Sequence, residues 1–254
     1  MKRTRMIVFG LVVGFLPPLV WAAEEKATEW NFDKDSSGQM PAGWKAGYTN
    51  PAEGKAVWAV SEDPAAPSPP YVLSLTKTES SGRVFNLAMA EKTSFKDVDL
   101  SVKIKANSGK EDQGGGLIWR CKDASNYYVC RINPLEDNFR VYKVVGGKRQ
   151  QLQSADVKVD AGKWYELRAK MAGNRMECYI DGKKLLEATD DELKDAGMVG
   201  LWTKADAASS FDNIAVRPAE PLKDEPASAQ KPGQTPQKPA QDDDDDDDED
   251  DDDD

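Results

Sequence analysis

The chain has 254 residues, no histidine, three cysteines and a formal net charge of −11. A length of this order suits one domain with extensions, and the lack of histidine removes the commonest general base near neutral pH and the commonest transition-metal ligand. The acid is concentrated at one end: residues 242–254 are 13 acidic positions, so the rest is close to neutral, no basic surface argues for nucleic acid, and the tail would repel phosphate.

In chain order, the first segment reads as an export signal. Lys2, Arg3 and Arg5 form a positive start, Met6 to Leu16 is apolar, Pro17-Pro18 closes the run, and Val20-Trp21-Ala22 offers small residues at a cleavage site. The apolar run is short and Pro-broken for a membrane span. Residues 1–22 are therefore expected to be a cleaved signal peptide. The expected location is exported: periplasmic, cell-surface or extracellular. No cysteine stands directly after the cleavage site, where Ala23 follows, which argues against a lipid anchor.

The next stretch, 29–217, is dominated by period-two patterns. Val98, Leu100, Val102 and Ile104 alternate with polar residues, as do Tyr165, Leu167, Ala169 and Met171, and then Met176, Cys178 and Ile180. Each pattern predicts a strand with one buried and one wet face. Turns fall at Lys122–Ser125, Gly146-Gly147, Gly173-Asn174 and Asp181-Gly182, the last suited to a two-residue hairpin. Short strands with frequent turns predict an all-β, antiparallel two-sheet sandwich. A helical turn is expected only near Asp190–Asp195, and Pro64 to Pro70 is expected to be a surface loop. Of Cys121, Cys130 and Cys178, the last two fall on apolar strand faces; a disulfide between them and buried free thiols both stand. Residues 218–241 carry six prolines among small and polar residues and read as a linker. The acidic run 242–254 is expected to be disordered.

From Gly114 onward, GGGLIWRC (114–121), SNYYVCRINPLEDNFRVYKVVGGKR (125–149), KWYELRAKM (163–171), MECYIDGKKLLEATDDEL (176–193) and GMVGLWTKADAASSFDNIAV (197–216) resemble the 3-keto-disaccharide hydrolase domain family, a branch of the concanavalin A-like lectin and glucanase superfamily. The resemblance implies a concanavalin-like jelly roll of two curved antiparallel sheets over 29–217. It also implies hydrolase (or lyase) action on the glycosidic bonds of 3-keto-disaccharides. One departure matters: where members read Trp-His, this chain has Trp164-Tyr165. A mechanism that needs that histidine is put in doubt.

The chemistry-bearing residues give several expectations. Glucanases of this fold use paired carboxylates in a Glu-x-Asp-x-x-Glu-like strand, and no such pattern occurs. The adjacent acids Glu111-Asp112, Glu136-Asp137 and Asp190-Asp191-Glu192 are expected to be solvated turn residues, because neighbours on an extended chain diverge. Asp33, near the first strand, and Asp212, in the last, are candidates for a structural calcium. Arg120, Tyr127, Arg131, Arg140, Trp202, Lys204 and Asp206 are expected to build a wet sheet face on which rings stack against sugar and charged groups bond its hydroxyls. Asp206 is the one candidate for a catalytic carboxylate. The expected partner is a saccharide or glycosylated surface, with the acidic tail a site for divalent cations or a basic protein surface. Two functions follow: a non-catalytic carbohydrate- or surface-interacting module, and an enzyme of the kind the resemblance implies.

Overall fold

The computed structural model describes residues 27–51, 56–78 and 82–222. The expected signal peptide, most of the linker and the acidic tail lie outside the described residues. Within them the chain forms fifteen strands and no helix: β1 (Thr28–Trp30), β2 (Trp44–Thr49), β3 (Val57–Glu62), β4 (Tyr71–Lys77), β5 (Phe85–Ala90), β6 (Val98–Ser108), β7 (Gly115–Asp123), β8 (Asn126–Asn133), β9 (Asn138–Val145), β10 (Lys148–Asp156), β11 (Trp164–Ala172), β12 (Arg175–Ile180), β13 (Lys183–Thr189), β14 (Met198–Lys204) and β15 (Ala208–Arg217). The helical turn expected near Asp190–Asp195 is absent. There the Asp190 side chain instead accepts from the Glu192 amide at 2.9 Å and from Tyr128 Oη at 2.7 Å, fixing a loop.

Two antiparallel sheets stack. Sheet A runs β13-β12-β11-β6-β15-β4-β3, with β1 also paired to β15; sheet B runs β10-β9-β8-β7-β14-β5-β2. Neighbours are often remote in sequence, as in a jelly roll. The period-two patterns fall as expected: Val98, Leu100, Val102 and Ile104 of β6, Tyr165, Leu167, Ala169 and Met171 of β11, and Met176, Cys178 and Ile180 of β12 all enter the core between the sheets. Opposite them, sheet B contributes Leu117, Trp119, Tyr128, Cys130, Ile132, Phe139 and Val141. The hairpin at Asp181-Gly182 has φ of 47° and 76°, the left-handed pair that a two-residue turn between right-twisted strands requires.

Sheet B also curls. Thr49, at the end of edge strand β2, donates from Oγ1 to the carbonyl of Ala124 at 2.5 Å and sits 2.7 Å from Tyr127 Oη, although three strands separate β2 from β8 in the sheet. Asn50 Nδ2 reaches the Gly147 carbonyl at 3.1 Å. The outer face of sheet B is thereby a trough. It holds a second apolar cluster, including Phe85, Leu87, Ile118, Tyr127, Val129, Tyr142, Val144 and Trp202.

Candidate functional site

The trough of sheet B carries the polar groups best placed for a ligand. Register decides which residues share it. Arg131 of β8 pairs with Arg140 of β9 on one side and Gly116 of β7 on the other, and Gly116 pairs with Trp202 of β14. Gly116 is required here, because a Cβ would lie 1.8 Å from the Cys130 carbonyl oxygen.

The β8–β9 turn brings an acid to this row. Asn133 ends β8, and its Oδ1 accepts from the amides of Leu135 at 2.8 Å and Glu136 at 3.3 Å, a side-chain-closed turn of the Asx type. Asp137 takes φ of 50°, and β9 starts at Asn138. Glu136 is thereby folded back over the strands. Its Oε2 accepts from Arg131 Nη2 at 3.0 Å and Asn138 Nδ2 at 2.8 Å, and lies 3.1 Å from Arg140 Nη1. Arg131 also donates to Asn138 Oδ1, and Nη2 to Tyr142 Oη at 3.1 Å. Burial opposes ionisation of Glu136, but Arg131, the Asn138 amide and Arg140 outweigh it and bring its pKa down to about 2.

A second carboxyl joins the same end. Asp112, buried, accepts from Asn133 Nδ2 at 3.1 Å and lies 3.8 Å from Lys204 Nζ. Burial raises its pKa, aided by the negative charge of Glu136, against Arg131 and Lys204. Two carboxyls that sense each other are thus pushed in opposite directions. The solvated-turn expectation fails for one member of each cluster: Asp190, its side chain 10% exposed, accepts from Tyr128 Oη and Lys143 Nζ, each at 2.7 Å, and Asp112 and Glu136 both act on Arg131. Only the register of β8 against its neighbours reveals this, and the spacing of 24 residues carries no signal of it.

The expected sugar-binding residues divide. Arg131, Arg140, Tyr127, Trp202 and Lys204 share the trough. Its character is nonetheless different from a wet face: Tyr127, Arg131 and Trp202 are at most 1% exposed. Tyr127 Oη bonds to Thr49 and accepts from Trp202 Nε1 at 3.3 Å, while the Trp202 ring packs on Phe85 with centroids 5.2 Å apart. These rings are core, because the curl of sheet B closes over them. The groups that reach solvent are Arg140, Glu136 and Lys204, with side chains 29%, 41% and 16% exposed. Arg149, which sequence reasoning missed, lies over the rings of Tyr142 and Phe85, at 4.6 and 5.3 Å to the centroids.

Arg120 and Asp206 play other parts. Arg120 sits at a bulge of β7 with φ of 46°, and its guanidinium donates to the carbonyls of Lys96 at 2.6 Å, Leu193 at 3.0 Å and Gly173 at 2.6 Å. It pins three loops at the edge of the core, outside the trough. Asp206 accepts the backbone amides of Lys110 at 2.6 Å, Glu111 at 3.0 Å and Asp112 at 3.0 Å. Burial alone would raise its pKa; those amides outweigh it and hold the carboxyl below its usual range. Asp206 thus positions the loop that delivers Asp112, and a proton-transfer role does not suit it.

Asp33 and Asp212 do come together, at Ser68 of the loop expected to be mere surface. Ser68 donates its amide to Asp212 Oδ2 at 2.7 Å and its hydroxyl to Asp33 Oδ2 at 3.1 Å. Asp33 Oδ1 is buried without a hydrogen-bond partner. Burial, with help from Asp33 and Asp63, raises the pKa of the fully buried Asp212 to about 6, against the amides of Ser68 and Asn213. The oxygens are of the hard kind calcium takes, although among the described residues no group of three His, Cys, Asp or Glu side chains converges. A cavity of about 600 Å³ lies elsewhere, between Trp30, Gly43, Lys92 and Phe95; it holds no carboxyl or guanidinium group.

Comparison with known proteins places this geometry. A segment of 138 residues is 28% identical to the levanase of Bacillus subtilis (strain 168), covering 53% of this chain and 19% of that protein. One of 107 residues is 29% identical to an extracellular exo-alpha-L-arabinofuranosidase of Streptomyces chartreusis, covering 42% and 13%. The chain thus spans a fifth or less of these relatives. The carbohydrate-binding module CBM66 from Bacillus subtilis superposes with a TM-score of 0.54 at 22% identity, covering 68% of this chain and 93% of that one. A Bacillus licheniformis beta-glucanase superposes with a TM-score of 0.51 at 15% identity, covering 75% and 97%. Both share the two-sheet jelly roll. Residues 29–217, from within β1 to the end of β15, match the 3-keto-alpha-glucoside-1,2-lyase-like domain family, and the chain belongs to that family.

Proposed function

We propose that this protein is an exported, non-catalytic module that holds a saccharide, or a glycosylated surface, against the polar end of the sheet B trough. One observation carries the reading. Arg131 and Arg140 are locked in place by a shared carboxylate, Glu136, with Arg140, Glu136 and Lys204 left at the surface. Pre-positioned donors beside an acceptor are what a sugar hydroxyl pair needs, and fixing them beforehand lowers the entropy lost on binding. The names of the matched relatives, a levanase, an arabinofuranosidase and a carbohydrate-binding module, support a saccharide ligand, and the extracellular relative supports export. For the acidic run 242–254 the proposed partners are divalent cations or a basic protein surface.

A second reading rests on the Asp112–Glu136 pair. Carboxyls whose environments push their pKa values apart are a common arrangement for acid and base work, and the family's name points to 3-keto-glycosides. Against it, Asn133 holds Asp112 and Arg131, Asn138 and Arg140 hold Glu136, and a carboxyl whose pKa is brought down to about 2 is a weak base. Incubation of the full-length protein with a 3-keto-disaccharide tests this. The module reading expects binding in the micromolar to millimolar range and no product.

A further inference from the structure

Cys130 and Cys178 come from opposite sheets and fall in one layer of the core: Trp119 of β7 donates to Met171 Sδ of β11 at 3.2 Å across it, and Leu117 and Ala169, two residues along those strands, pair with Cys130 and Cys178. Cys130 lies on β8 between Leu117 and Val141; Cys178 lies on β12 between Ala169 and Leu186. Both are fully buried in the core between the sheets. Burial pushes the Cys178 thiol up, and contact with the Cys130 thiol pushes it further. Cys121 is on the other side of sheet B. It belongs to the trough cluster, with Sγ 3.6 Å from Met89 Sδ and 3.2 Å from the Asp123 carbonyl. All three are thiols in this structure.

We propose that Cys130 and Cys178 are joined in the mature protein by a disulfide that staples sheet B to sheet A, and that Cys121 stays a thiol. The geometry selects this pair: a disulfide needs Cβ atoms about 3.5–4.5 Å apart, which facing neighbours across a core can meet and residues on opposite sides of one sheet cannot. A metal is not the alternative use, since among the described residues no third ligand joins the two thiols.

The chemistry is thiol–disulfide exchange with a disulfide oxidant, such as oxidised glutathione or an oxidised dithiol oxidoreductase. One cysteine thiolate attacks the oxidant's disulfide, forming a mixed disulfide and expelling one oxidant thiolate. The second cysteine thiolate attacks the protein sulfur of that mixed disulfide and expels the other. Two electrons pass to the oxidant, and the two protons lost by Cys130 and Cys178 end on its two thiols. Because neither sulfur reaches solvent in the folded domain, exchange must precede closure of the sheets. The closed loop, residues 130–178, spans strands β8 to β12, so the bond restricts much of the unfolded sandwich. It also lies directly beneath the candidate site: Arg131, the next residue along β8, points to the trough.

The test uses the full-length chain. It is unfolded with reductant, refolded in a mixture of reduced and oxidised glutathione, then unfolded again and alkylated with iodoacetamide. Intact mass should show one alkyl group per chain, on Cys121 by peptide mapping. Before alkylation the refolded chain should be lighter than the reduced one by about 2 Da, the mass of the two hydrogens removed in forming a disulfide. Cys121→Ser should take no alkyl group and still form the bond, and the oxidised form should unfold at higher urea than the reduced form. Three alkylated cysteines in refolded protein, or a bond that includes Cys121, would overturn the proposal. Refolding is followed by circular dichroism, so that thiols counted in unfolded chains are not mistaken for thiols of the native fold.

Discussion

Arg131 and Arg140 stand directly opposite each other across β8 and β9, and both hold one carboxylate oxygen of Glu136. Like charges in cross-strand register ordinarily repel. Here Glu136 sits between them, and Tyr142 Oη accepts from both at 3.1 and 3.4 Å. The pair is therefore a feature of the fold with a structural cost, compensated by residues of the adjoining turn.

Glu136→Gln should destabilise the domain at neutral pH, because it leaves the buried Arg131 without its counter-charge; with Glu136 itself 41% exposed, solvent screening holds the loss to about 1–2 kcal/mol, below that of a fully buried pair. It should also flatten the acid limb. The folded pKa of Glu136, about 2, lies below its ordinary 4.5. Its contribution is thus fully present above the unfolded pKa and lost as pH falls through the folded one. Urea midpoints measured from pH 5 to pH 2 should fall more for the wild type than for the variant. Parallel curves would refute the assignment.

Much of this was legible beforehand, and the reasons differ by residue. Alternation placed Val98–Ile104 and Tyr165–Met171 in the core, because a strand with one wet face exposes its period directly. It also put Arg131, Tyr127, Arg140 and Trp202 on one side of sheet B. It failed to show that Tyr127 and Trp202 are buried there: a second apolar layer arises from the curl that brings Thr49 to Tyr127, and curl leaves no mark on a period of two. Nothing in the spacing of Asp112 and Glu136 separates them from solvated turn residues, because their closeness to Arg131 depends on strand order and the β8–β9 turn. Arg120 looked like one more charge on the same face; the bulge at its positive φ turns it toward three loops.

Arg120→Ala should therefore act on stability and leave ligand binding untouched. The side chain is 2% exposed and donates to three backbone carbonyls and to Asp97. Stranding those acceptors should cost about 3 kcal/mol or more, each charged bond contributing roughly 1.5–3 kcal/mol without simple additivity. Chemical denaturation of the variant checks this; a loss under about 1 kcal/mol would contradict it.

Trp202→Ala should likewise unfold rather than merely weaken binding. Burial of the ring against Phe85 makes truncation of a large core aromatic cost about 3–5 kcal/mol. A stable Trp202→Ala protein with lost affinity would mean that the ring faces ligand after all.

At the Asp33–Asp212 pair the pH dependence runs the other way. The folded pKa of Asp212, about 6, lies above its ordinary 3.8, so native chains hold the extra proton. Stability should decline as pH rises from about 4 to 6, by up to about 3 kcal/mol from a two-unit shift. Asp212→Asn should remove that decline. We propose that calcium offsets the same repulsion: millimolar calcium should raise the melting temperature of the wild type at pH 7 and leave Asp212→Asn unchanged. Identical wild-type melting curves in calcium and in chelator would exclude the ion.

The most direct test of the saccharide-module account is calorimetric titration of the full-length protein and its Arg140→Ala variant with levan- and arabinan-derived oligosaccharides and a 3-keto-disaccharide. Arg140 is the partly exposed member of the arginine pair, so its truncation should spare the fold. The expected result is micromolar to millimolar binding of at least one saccharide by the wild type, an affinity lower by about 5- to 30-fold in the variant, the worth of one charged hydrogen bond, a melting temperature within a few degrees, and no product on long incubation. Equal affinities in the two proteins, or turnover of the 3-keto-disaccharide by the wild type, would contradict the account.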